Sequence, residues 1–138
     1  MRLFGCRAGK KSDTESDESV AEKAGRLFDR GNNCAQAVLQ ATLGIDDPRL
    51  LDVAAAFGSG IGGQKCLCGA VSGGVMALGL AGRPRLAGRL VAKFRRRNRT
   101  TCCKALSAPF RWMSREHLAN CRRLTAETAT LVNELLRG

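Results

Sequence analysis

The sequence has no tyrosine, one tryptophan, one histidine and three prolines in 138 residues. With aromatics at 4%, a core must be packed from Leu, Val and Ala, and stacking on nucleic-acid bases has little support. Carboxylates are missing between Asp52 and Glu116. Two-carboxylate hydrolysis and a carboxylate-held magnesium site therefore cannot be built from the middle of the chain. The longest uncharged run, Cys66 to Gly82, is shorter than the roughly 20 apolar residues a spanning helix needs, so no membrane segment is expected. Met1 to Val20 lacks an apolar secretory core and holds Asp13, Glu15, Asp17 and Glu18, which points to a reducing, cytoplasmic setting. No CxxCH motif is present, which excludes covalent c-type haem.

Against these absences stand sixteen glycines, seven cysteines and a net charge of +11. Apolar residues at 44% and charged residues at 25% are those of a folded soluble domain, and the length suits one such domain. The odd cysteine count disfavours a pure disulfide framework, and reactive or metal-bound thiols fit better. The charge is local: residues 83 to 123 hold thirteen basic side chains and one acid, Glu116. Such a stretch can be a solvated helix face, or it can dock an acidic redox partner protein. Nucleic acid is the less favoured ligand.

Residues 1–19 mix charges with Ser, Thr and Gly without apolar periodicity and read as a flexible leader containing Cys6. Residues 20–138 read as one all-α domain of about five or six helices. Val20, Ala24, Leu27 and Phe28 begin the helical pattern, which Gly31 stops. Asn32 or Asn33 can cap a helix carrying Cys34, Ala35, Val38 and Leu39. Asp46-Asp47-Pro48 starts a short helix running to Phe57. After a glycine turn, Cys68 to Leu80 reads as a buried helix in which Gly69 and Gly73 permit close approach. Pro84 opens a basic helix with Leu86, Leu90, Val91 and Phe94 on its apolar side. A short helix is expected within residues 100–106. Ser114 then caps the last helix, with Met113 and Leu118 placed as a hydrophobic staple and Cys121 facing inward.

Gly58-Ser-Gly-Ile-Gly-Gly63 matches GxGxxG, but a ribose-binding acid roughly 20 residues onward is missing, so no NAD site is expected. Gln64 separates Gly63 from Lys65, which spoils a phosphate-binding loop. His117 and Cys121 lie one helical turn apart, a spacing open to ligation or thiol activation. The favoured reading of His117 is nevertheless a polar residue in the first turn of an exposed helix end.

Cys34 and Cys68 fall at helix beginnings, where partial positive charge favours thiolates, and the basic segment should do the same for Cys102 or Cys103. With Cys121, these thiols could converge on one site. Gly31-Asn-Asn-Cys34-Ala-Gln-Ala-Val-Leu39, the glycine run before Cys68-Gly-Ala-Val-Ser-Gly73, Cys103-Lys-Ala-Leu106 and Cys121 resemble, in that order, the redox-active C_GCAxxG_C_C family. That resemblance covers residues 20 to 137. It implies a helical domain, related to the non-haem domain of split-Soret cytochromes, with a redox-active or iron–sulfur site. Carried over, its motif cysteines are Cys34, Cys68, Cys103 and Cys121. Leu67 stands where the motif has Gly, and Cys66 and Cys102 double two motif positions. The leading expectation is an electron-transfer protein in which those four cysteines, the usual thiolate set, hold an iron–sulfur cluster, a two-iron one being favoured. Its rivals are a thiol–disulfide oxidoreductase and a structural zinc module.

Overall fold

The computed structural model describes residues 18–138. Cys6 and nearly all of the expected leader lie outside them. Among the described residues the fold is all-α, with seven α-helices. They are α1 (Val20–Asp29), α2 (Cys34–Leu43), α3 (Pro48–Ala55), α4 (Gly69–Leu80), α5 (Ala87–Asn98), α6 (Cys103–Ser107) and α7 (Arg115–Arg137). Among the described residues no helix is long and apolar enough to cross a membrane.

The caps fix where each helix starts. Ser19 and Asn33 each form a capping box, with Glu22 and Gln36 returning the hydrogen bond, so two orphan donors are satisfied at each start. Asp47 accepts from the Arg49 N–H and Pro48 takes the first helical position. Ser114 accepts from the His117 N–H at 3.2 Å. Pro84 begins a 3₁₀ turn, Pro84–Leu86, before α5 proper, a tighter entry than the continuous helix expected there. The Met113–Leu118 staple does not form a buried contact, since their exposures are 60% and 38%.

Helix α4 is the centre of the core. It is apolar on all sides, and α2, α5 and α7 pack around it. A Cβ on Gly73 would lie 2.5 Å from the Ala35 carbonyl oxygen, and one on Gly69 would lie 3.3 Å from the Cys34 Cβ. The Gly69/Gly73 pair thus lets α2 and α4 touch backbone to backbone, which sets Cys34 beside the start of α4. The fully buried Leu90 and Phe94 hold α5 on the core, leaving Arg89, Arg95, Arg96 and Arg97 exposed. Helix α1 lies against α7, tied by the Arg122–Asp29 ion pair at 3.0 Å.

Residues 58–66 fold into a tight loop whose amides are spent on the loop itself. The Gly62 N–H donates to the Ala56 carbonyl, that of Gly63 to Gly58, and that of Cys66 to Gly60. Among the described residues no strand forms, but an isolated antiparallel bridge pairs Leu67 with Cys102. The Cys68 N–H donates to the Thr101 carbonyl at 2.7 Å and that of Cys103 to the Cys66 carbonyl. This bridge brings the second and third motif positions together.

Candidate functional site

A cavity of about 170 Å³ opens between the starts of α2, α4, α6 and α7. Cys34, Cys68, Cys103 and Cys121 all line it, together with His117, Trp112, Ser107, Leu106 and Met113. The four motif cysteines therefore share one cavity wall. Cys66 and Cys102 do not join them; both are exposed, while Cys68 and Cys103 are buried and Cys34 and Cys121 half-buried. All six are free thiols.

Each position has a local cause. Asn33 makes Cys34 the first residue of α2. Cys68 caps α4, and the bridge through Leu67 delivers Cys103 to the start of α6. Cys121 stands one turn beyond His117 in α7.

The thiols differ in ionisation. A hydrogen bond from Cys121 pulls Cys34 down from 9.0 to about 7, against the burial that opposes it, and Thr125 adds a further bond. The same contact pushes Cys121 upward, because its proton is shared with the Cys34 thiolate, and burial adds to this. Burial pushes Cys68 up to about 12, with the nearby Cys34 charge reinforcing it. The expected thiolate at Cys68 is thus overturned: its place at a helix start does not offset desolvation and a like charge. Cys103 is also raised, by burial first. The basic segment does not reverse that shift.

The favoured reading of His117 requires correction as well. It is 2% exposed and its ring stacks against Trp112 at 4.2 Å between centroids. Its Nδ1 accepts the Met113 N–H at 2.9 Å, so the neutral ring carries its proton on Nε2. Burial, then the Lys65 charge, holds its pKa down. Nε2 lies 3.5 Å from the Cys121 Sγ. The Nε2–H therefore donates toward that sulfur. The i, i+4 spacing of His117 and Cys121 carried this contact in the sequence. Trp112, Ser107 and Lys65 were not singled out, and only the lone tryptophan just before the α7 cap marks them.

Zinc needs several donors around one point, whereas a two-iron cluster takes two thiolates at each iron. Among the described residues no three Cys, His, Asp or Glu side chains are arranged to hold a metal ion. The four thiols share a cavity wall without forming such a group, so the side chains as placed do not fit a single zinc ion. The Gly62 and Gly63 N–H groups of the glycine loop are already bonded, to the Ala56 and Gly58 carbonyls.

A protein-family model described as "Putative redox-active protein (C_GCAxxG_C_C)" matches residues 32–135. No curated protein and no solved structure matches the chain.

Proposed function

Because the chain belongs to the C_GCAxxG_C_C family of redox-active proteins, we propose that it acts as a thiol–disulfide oxidoreductase with Cys34 as nucleophile and Cys121 as resolving thiol. The observation that carries this reading is that both thiols line one cavity, with the His117 Nε2 3.5 Å from the Cys121 Sγ.

The Cys34 thiolate attacks one sulfur of a substrate disulfide, RSSR′, forming a mixed disulfide and expelling R′S⁻. The charge on Cys34 is then gone, and with it the main cause holding the Cys121 proton. Cys121 gives that proton to the departing R′S⁻, while His117 Nε2–H hydrogen-bonds the new thiolate. Cys121 next attacks the Cys34 sulfur and releases RS⁻, which takes a proton from solvent. The protein dithiol becomes a disulfide, and two electrons and two protons pass to the substrate. Cys68 and Cys103, both held protonated by burial, keep the cavity wall neutral beside the single thiolate.

The test is to oxidise the reduced chain with a limiting small disulfide, quench with acid, alkylate, and map the cysteines by mass. A Cys34–Cys121 disulfide is expected. Cys121→Ser should instead trap a mixed disulfide on Cys34, and Cys34→Ser should form neither. Iron and inorganic sulfide in stoichiometric amounts after anaerobic purification, lost in Cys68→Ser and Cys103→Ser, would overturn the reading in favour of a cluster.

A further inference from the structure

We propose that a hollow formed by Lys65 and Lys104 beside the thiol cavity receives the carboxylate of a small anionic disulfide, which is the substrate class of the site. This rests on the thiol–disulfide reading above and assigns the group it leaves open.

The hollow measures about 140 Å³ and is lined by Lys65, Lys104, Ser107, Ala108, Phe110 and Trp112. Ser107 and Trp112 also line the thiol cavity, so the two spaces adjoin across a shared wall. Neither is lined by a carboxylate. Among the described residues neither Lys65 nor Lys104 has an ion-pair partner. Two ammonium groups without a counterion, in a hollow that shares Ser107 and Trp112 with the thiol cavity, make a place for an anionic group.

The lysines are held in place by the backbone. The Lys104 N–H donates to the Lys65 carbonyl at 3.0 Å and that of Lys65 to the Ser59 carbonyl at 2.9 Å. Lys65 keeps a left-handed φ of 60°, a conformation unfavourable to a non-glycine residue that tends to persist where function fixes it. Its ammonium lies over Trp112, 4.2 Å from the ring centroid. The charge reaches the thiol cavity, since it acts on both His117 and Cys103.

Size completes the argument. Cys34 is half-buried within a narrow, mostly apolar cavity, which a low-molecular-weight disulfide enters more readily than one held flat on a protein surface. The substrate carboxylate would sit at the lysines, its disulfide would reach Cys34, and it would leave as two thiols carrying the two electrons and two protons described above.

The reduced full chain is reacted at physiological salt with dithiodipropionate, bis(hydroxyethyl) disulfide and cystamine, which are anionic, neutral and cationic. Each rate is divided by that of free cysteine with the same reagent. The anion should lead the neutral disulfide by on the order of three- to tenfold, the net worth of a typical hydrogen bond, and the cation should be slowest. Lys65→Gln/Lys104→Gln should abolish that order. Arg95→Gln/Arg96→Gln, which removes the same charge from α5, should keep it. Lys104→Gln alone, a change at an exposed side chain, serves if the double variant misfolds, and should weaken the preference. Equal normalised rates in the wild type, or an order unchanged by the lysine variants, would overturn the substrate class while leaving the thiol pair standing. No Cys34–Cys121 disulfide with any reagent would sink both.

Discussion

Cys34 and Cys68 occupy similar positions at helix starts, yet their thiols move in opposite directions. The difference is a hydrogen-bond donor. Cys34 has Cys121 beside it, whereas Cys68 has burial and the Cys34 charge, and a helix end alone does not override those. Helix position was legible in the sequence; the partner across the cavity was not, because Cys34 and Cys121 meet only through the packing of α2 on α7. A pH experiment follows. Below about pH 7 Cys34 is mainly a thiol and alkylates slowly; above it, the thiolate dominates and the rate levels off. In Cys121→Ala the donor is lost while burial remains, so the midpoint should rise toward or beyond 9.0 and the rate at pH 7 should fall by at least roughly an order of magnitude. An unmoved midpoint, measured by iodoacetamide labelling of Cys34, would show that Cys121 is not the group responsible.

At the scale of helices, the Gly69/Gly73 spacing was readable as a close-approach motif, and its partner is the beginning of α2. The apolar stripes and caps were equally readable, since Asn33, Asp47 and Ser114 each act at the boundary their chemistry dictates. Two things were hidden. The bridge through Leu67 and Cys102 involves residues far apart in sequence and has no periodic signature. The burial of His117 depends on Trp112 folding back over it. Gly73→Val tests the α2–α4 contact, because its Cβ would meet the Ala35 backbone, which cannot step aside as a side chain could. We expect a loss of about 1–3 kcal/mol, seen as a lower midpoint in urea, together with weaker shielding of the Cys34 thiol. A neutral outcome in both measurements would mean that the helices separate without penalty.

Across the whole molecule, charge and chemistry are divided. The basic face of α5 shares no lining residue with the thiol cavity, and its helix is anchored by the fully buried Leu90 and Phe94. Its ion pair to the core, Arg97–Glu127 at 3.5 Å, involves an Arg97 side chain that is 52% exposed, and such pairs contribute at most about 1 kcal/mol. Replacing Arg95, Arg96, Arg97 and Arg99 with Gln should therefore leave the far-UV circular dichroism and the Cys34 alkylation midpoint unchanged. Loss of helicity would assign the face a structural role. The clustering of arginines was visible in sequence, as was the order of the four cysteines; their convergence required all the intervening helices to pack.

That convergence also has a consequence for the order of synthesis. Cys34 leaves the ribosome well before Cys121, and at roughly 5–20 residues per second several seconds separate the two. Until α7 is made and docks, no donor depresses the first thiol, so a nascent chain carries an ordinary, sluggish cysteine. A chain truncated before α7 should therefore show an alkylation midpoint for Cys34 near that of an ordinary thiol.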